Sequence, residues 1–393
     1  MVCSKKLLAK HIFVNKKNII TLTIFAVSYW VLFDFLRWIQ YDTESFIGGA
    51  RLLFGLEGGI DLQSRLTKPL VLILPGAIEF LFGLHPKFTF LFQNILSFYL
   101  CGIFMYKIIF QITKDSKIAY LGMLAYIMCQ PFAVCSLFIQ VDVIGWFFGI
   151  FTIYLSLKYF ENPTLKLKNV FLIGFIVGIG FLAKESAIVG LIFLSCSILT
   201  HKFLIKEKIK LLSLSIIGFI IPFVISFLLI EYFYSDSVLK RFNRAHGGIE
   251  ISYMISEWKQ IFRIIDMYLF LYVIGLIVIV KKIIKTSNNY MLKSVLYTSF
   301  LTFVLMLIWP YFIDRILFMI APFLIITIAY GIKKFKHLGL ALVLVGGLLN
   351  VFISFLIYKY QLTGILLIGF AVFIIIILIF GFLLYKKNIR ELL

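Results

Sequence analysis

The sequence predicts an all-α, polytopic transmembrane protein with about twelve spans and both ends on the cytoplasmic side. Three observations carry this. Of 393 residues, 62% are hydrophobic and only 14% are charged, against roughly a quarter charged in a soluble domain. Apolar runs close to the length of a membrane-crossing helix recur along the whole chain. The net charge of +20 is spread as short basic clusters between those runs. That is the pattern of cytoplasmic loops, and no nucleic-acid partner is expected.

Hydropathy places spans at 19–38, 88–110, 118–138, 142–158, 169–183, 186–201, 211–232, 266–280, 292–311, 316–331, 338–357 and 362–385. Lys5, Lys6, Lys10, Lys16 and Lys17 precede the first. It is long enough to cross and has no small-residue cleavage site after it, so it reads as an uncleaved signal-anchor. Alternation from a cytoplasmic N-terminus puts 25 of the 38 lysines and arginines inside, with only Asp115, Glu161, Glu207 and Glu391 among the acids. The inside then carries +21 and the exoplasmic side −1. The pair 169–183 and 186–201 is short. A single helix over both would be about 50 Å long with Lys184 at its middle, so two short helices meeting at Lys184 and Glu185 are expected.

Two exoplasmic segments are long. In 39–87, Phe46, Ala50, Leu53 and Phe54 share one helical face and Glu44, Gly48, Arg51 and Gly55 another, which predicts a helix in the membrane interface ending at Gly58-Gly59. Leu70 to Leu84 holds Pro75 and Gly76 and reads as interfacial or re-entrant. The second segment, Phe233 to Arg263, carries Lys240, Arg241, Arg244 and His246. The expected division is a catalytic module over 1–235, including loop 39–87, and a C-terminal transmembrane module over 236–393. Cys3, Cys101, Cys129, Cys135 and Cys196 lie in the tail or in apolar runs, as packing residues without zinc or disulfide spacing.

The ionisable residues outside the basic clusters gather on the exoplasmic side: Asp42, Glu44, Arg51, Asp61, Arg65, Lys68, Asp142, Lys184, Glu185, Arg241, Arg244, Asp314 and Arg315. Charge at membrane depth is costly and marks function. Mixed acids and bases on one rim suit a site that binds an anion and moves a proton. Each has a plainer reading: Asp42 and Glu44 as solvating charges, Lys184 with Glu185 and Asp314 with Arg315 as self-neutralising neighbours, and Asp142 as a helix cap. Arg241 and Arg244 read equally as lipid-headgroup contacts and His246 as a loop residue.

Together these residues resemble the polyprenyl-phosphate-sugar-dependent glycosyltransferases of type C (the GT-C fold), which include protein O-mannosyltransferases and bacterial aminoarabinose transferases. The resemblance rests on Tyr41-Asp42-Thr43-Glu44 and Gly49-Ala50-Arg51-Leu52-Leu53, then Arg65-Leu66-Thr67-Lys68-Pro69-Leu70, then Gln140-Val141-Asp142. It continues with the glycine-rich Gly178-Ile179-Gly180-Phe181-Leu182-Ala183-Lys184-Glu185-Ser186 and ends at Asp314-Arg315-Ile316-Leu317 with Pro322. The chain departs from the family where Thr43 separates two acids that many members hold adjacent, and where Leu70 replaces the second proline of a Lys-Pro-Pro stretch.

The resemblance implies transfer of a hexosyl or pentosyl group from a polyprenyl-phosphate donor to an exoplasmic glycan, lipid or protein, with inversion. It implies Asp42 as the base, with Glu44 as the alternative. Lys184, Arg315, Arg65 and Lys68 would bind the donor phosphate, and Asp142 would position the acceptor or a cation. No ligand cluster demands a metal, although a divalent ion is compatible with the acids present. The site would face the exoplasm, at the plasma membrane in a bacterium or archaeon. A transporter or lipid flippase is the rival from another class, disfavoured because no internal repeat is visible and the charges avoid the midplane. An oligosaccharide ligase or polymerase is a second.

Overall fold

The structure is a computed structural model that describes residues 16–33, 41–56, 65–161, 166–234, 268–286, 289–307, 318–335 and 337–360. All regular elements among these residues are helical. In order they are α1 (Lys16–Phe33), α2 (Tyr41–Leu53), α3 (Pro69–Phe82), α4 (Pro86–Thr113), α5 (Ser116–Ile127), α6 (Gln130–Cys135) and α7 (Asp142–Glu161). After these come α8 (Leu167–Phe181), a 3₁₀ turn (Glu185–Ile188), α9 (Val189–Thr200), α10 (Ile205–Tyr234), α11 (Leu269–Lys285), α12 (Tyr290–Leu307), a second 3₁₀ turn (Phe318–Ile320), α13 (Ala321–Phe335) and α14 (His337–Tyr360).

Among the described residues, five segments are long and apolar enough, by length and composition, to cross a membrane: Pro86–Thr113, Asp142–Glu161, Ile205–Tyr232, Phe318–Phe335 and Leu338–Leu356. Shorter apolar helices accompany them. The expected last span, 362–385, lies outside the described residues, so a count of twelve is not established. Exposed Ile217, Ile220, Val224 and Leu228 line one side of α10, a surface suited to lipid contact in a membrane protein.

The expected span 118–138 is broken. The helix stops at Ile127, because Pro131 has no N–H to give to a preceding carbonyl, and restarts as the six residues of α6 with Pro131 in its first turn. Residues 136–141 then run without regular structure, all buried. By contrast the expected break at Lys184 is present: α8 ends at Phe181 and Lys184 is extended (φ −160°, ψ 140°) before the turn that opens α9.

The loop helix α2 also differs from expectation. It ends at Leu53, not at Gly58-Gly59, which lies outside the described residues. Gly55 follows at φ +69°, a conformation that costs glycine nothing. Gly48, on the face it shares with Glu44 and Arg51, is buried along with Phe46, Ile47 and Ala50. Helix α2 therefore packs inward, as one arm of a hairpin with α3. Gly76 of α3 approaches the Ala50 carbonyl so closely that it leaves no room for a Cβ.

Aromatic packing ties α4, α5, α6 and α7 together. Phe132 stacks on Phe98 at 5.2 Å, Tyr126 lies 4.8 Å from Phe132, and Trp146 lies 4.5 Å from Phe318. Helices α8 and α10 run parallel, with Gly174 and Gly178 against the Ser215 and Phe219 carbonyls. Small residues that let backbones approach are the usual glue between helices in lipid.

Candidate active site

The chain reverses at each connection, so α4, α7, α9, α11 and α13 finish at one end of the bundle and α1, α8, α10, α12 and α14 at the other. Lys114, Lys117, Lys158, Lys202, Lys206, Lys282 and Lys333 belong to the first end. Lys68, Asp142, Lys184 and Glu185 belong to the second.

There they form one cluster. The ammonium of Lys68 pairs with the carboxylate of Glu185, 117 residues along the chain. Lys184 pairs with Asp142, Nζ to Oδ1 3.5 Å. Lys68 stands immediately before α3, with Pro69 as the first residue of that helix. Asp142 is the first residue of α7. The 184–186 turn can lie against α7 because residue 145 is glycine: a Cβ there would meet the Lys184 Cβ at 2.5 Å. Lys184 and Glu185 are neighbours in sequence but not partners, because an extended Lys184 directs successive side chains to opposite sides. Each reaches a different helix.

Burial pulls the Lys68 ammonium down to about 8, partly offset by Glu185. Burial alone would raise the Glu185 carboxyl, but Lys68, helped by Lys184, outweighs it and holds the carboxyl at about 2. At neutral pH both are ionised. The other pair is looser. Its 3.5 Å separation exceeds a close charge-assisted hydrogen bond, and the Lys184 side chain is 18% exposed against 10% for Lys68. Lys184 is thus the cation better placed to turn toward an arriving anion.

Of the other expected site residues, Glu44 is exposed on the first turn of α2, next to Thr43, whose hydroxyl donates to the Ile139 carbonyl at 3.0 Å. That bond brings the acid-bearing turn of α2 to within four residues of Asp142. Asp42 lies on the same turn, but its side chain is outside the described part of the structure. Arg65 caps the Phe46 ring of α2 at 4.5 Å and packs on Gly49. Arg315, with Asp314, and the charged stretch 240–246 lie outside the described residues.

Sequence reasoning passed over Glu79. It receives a two-pronged bond from Arg51, with Nε and the second guanidinium nitrogen 2.9 to 3.1 Å from its oxygens, locking α2 to α3. Nothing local marks a pair 28 residues apart. Among the described residues no group of three or more metal-ligating side chains is present.

An apolar cavity of about 430 Å³ adjoins the cluster, lined among others by Pro69, Leu70, Leu182, Pro222, Ile225 and Leu229. Pro69 and Leu70 directly follow Lys68, and Leu182 lies two residues before Lys184.

Residues 68–227, which hold all four charged members of the cluster, match the family described as dolichyl-phosphate-mannose-protein mannosyltransferase. Among solved structures, ArnT from Cupriavidus metallidurans bound to undecaprenyl phosphate superimposes with a TM-score of 0.61 at 13% identity, over 84% of this chain and 62% of that one. Its apo state gives 0.60 over the same shares. The Archaeoglobus fulgidus oligosaccharyltransferase in complex with zinc and sulfate gives 0.54 at 10% identity, over 86% of this chain and 52% of that one. The chain thus spans less than two thirds of the length of these proteins. No curated protein matches it in sequence. At such identities the structures establish the fold, and the matched segment adds the sequence pattern: this chain has the type C glycosyltransferase fold and resembles the protein O-mannosyltransferase and aminoarabinose transferase superfamily.

Proposed function

We propose that the protein moves a sugar from a polyprenyl-phosphate donor to an acceptor at the end of the bundle opposite its lysine clusters, the exoplasmic end by the positive-inside rule. The observation that carries this reading is the Lys68–Glu185 and Lys184–Asp142 cluster beside the apolar cavity. A polyprenyl phosphate asks for that combination: an apolar groove for isoprene units and fixed cations at its mouth for the phosphate. The undecaprenyl phosphate bound to ArnT is a ligand of this chemistry.

In the reaction, an acceptor O–H or N–H attacks the anomeric carbon. The bond from that carbon to the phosphate oxygen breaks, and the electron pair leaves with the lipid phosphate. Attack opposite the leaving group inverts the anomeric centre. The acceptor proton passes to a carboxylate within hydrogen-bond reach, Asp42 or its alternative Glu44. Lys184, backed by Lys68, stabilises the charge growing on the phosphate. Arg65 and Arg315 are further cations for that role. Asp142 holds Lys184 until phosphate arrives, and positions the acceptor afterwards.

The test is transfer of radiolabelled sugar from polyprenyl-phosphate donors in membranes, comparing the wild type with Asp42→Asn. Transfer that disappears in the variant supports both the class and the base. Transfer that survives the change moves the base to Glu44. No transfer from any polyprenyl-phosphate donor, by folded protein with suitable acceptors, overturns the reading.

A further inference from the structure

Residues 136–141 pose a problem of backbone chemistry. They lie between α6 and α7, they are not helical, and all six are buried. Non-helical backbone inside a membrane protein persists only where other groups satisfy its carbonyls. Three consecutive carbonyls here are met by side chains from two other helices. Asn94 of α4 donates one amide proton to the Phe138 carbonyl and the other to the Gln140 carbonyl, the latter at 3.0 Å. Thr43 of α2 donates to the carbonyl between them, that of Ile139, at 3.0 Å. A backbone bond from the Gln140 N–H to the Phe138 carbonyl at 2.7 Å tightens the same turn.

The two ends of this arrangement are what matter for chemistry. Thr43 sits between Asp42 and Glu44. Two residues beyond Gln140 the chain reaches Asp142, the partner of Lys184. We propose that Asn94 and Thr43 are positioning residues: through the 138–140 carbonyls they fix the carboxylate-bearing turn of α2 against the Asp142–Lys184 pair. The assignment of those groups to sugar transfer rests on the function proposed above. The clamp itself does not.

Asparagine suits its position because its amide supplies two protons at one nitrogen. Aspartate would present oxygen to two carbonyl oxygens. Threonine suits position 43 because a hydroxyl can donate from a buried helical turn, and serine retains that hydroxyl where valine retains only the shape.

The experiment uses the full-length protein in membranes or detergent, with Thr43→Val, Thr43→Ser and Asn94→Asp. Steady-state transfer is measured alongside hydrogen–deuterium exchange of the 136–142 backbone. Thr43→Val is expected to lower kcat about tenfold, the order of one lost hydrogen bond at a reacting geometry, with KM for the lipid donor unchanged and exchange accelerated over 136–142. Thr43→Ser should restore both. Asn94→Asp should lose more, and if it fails to fold, the threonine pair still decides. Wild-type kcat or wild-type exchange in Thr43→Val overturns the proposal, as does Thr43→Ser behaving like valine. If the wild type transfers from no polyprenyl-phosphate donor, the proposed function falls and the exchange comparison alone decides the clamp.

Discussion

Where α4 and α7 finish, Lys114 meets Glu161 at 2.6 Å in the open, their side chains 66% and 37% exposed. Around them Lys333 donates to the Thr113 carbonyl, Tyr290 to the Phe160 carbonyl, and Thr200 shares a bond with Ser294. At the opposite end Lys68 and Glu185 are about nine-tenths buried, and Asp142 more so. Both ends join helices by charge and hydrogen bonding, yet solvent screens the Lys114–Glu161 pair and not the pairs at the other end. An exposed pair gains little because water serves each partner almost as well. A buried pair gains its bond only after losing hydration, so removing one member strands the other. The first end can drift in sequence at small cost. The second cannot.

The sharpest test of that contrast is Glu185→Gln. It leaves the Lys68 charge buried beside Lys184 without its counter-ion, and a loss of about 3–5 kcal/mol is expected, read as a lower unfolding temperature in detergent together with lost transfer. Adding Lys68→Met should recover much of the stability and none of the activity. Recovery of both would show that the pair only holds the fold.

Next in size is a pH effect. Lys68 loses its proton near 8 in the folded protein, against about 10.4 in an unfolded chain. Above pH 8 transfer should decline, by up to about tenfold per pH unit if the Lys68 charge is required. Stability from this group moves the other way. Between about 8 and 10.4 the unfolded chain binds more protons than the folded one, so folding gains as pH rises through that window. Glu185 stays ionised down to about 2. Its contribution to stability is present above the unfolded carboxyl value and is lost as pH falls through about 2. A pH–rate profile set beside a pH–stability profile separates the two signs, and Lys68→Arg should move the alkaline limb upward.

A smaller effect belongs to the half-buried Arg51–Glu79 contact. Arg51→Lys keeps the charge but loses the two-pronged geometry, for about 1 kcal/mol in thermal unfolding. Smallest is Lys114→Ala at the exposed end, expected to change stability by less than about 0.5 kcal/mol and transfer not at all. A larger loss there would collapse the distinction between the ends.

Much of this was legible in the chain. Hydropathy located helices because burial in lipid leaves no alternative to helix, and the charge pattern separated the two ends before any packing was known. The break at Lys184 was readable from helix length. The pairings were not. Lys184 and Glu185 looked like partners because adjacency is the only proximity a sequence displays, and the actual partners, Asp142 and Lys68, lie 42 and 117 residues away. The burial of Gly48, on the face it shares with Glu44 and Arg51, was not readable because a glycine carries no polarity to orient it. The buried stretch 136–141 was absorbed into a span since its residues are as apolar as the helices around it. Asn94, one polar residue in a long apolar run, was the available signal for what holds that stretch.

Helix α2 is secured near its start by Thr43 and near its finish by Arg51, eight residues or about 12 Å apart along its axis. A rod pinned at two separated points can neither spin nor slide. The backbone of its first turn is therefore set before any ligand enters. The disorder surrendered in setting it is lost once, when the chain folds, and not again at every turnover.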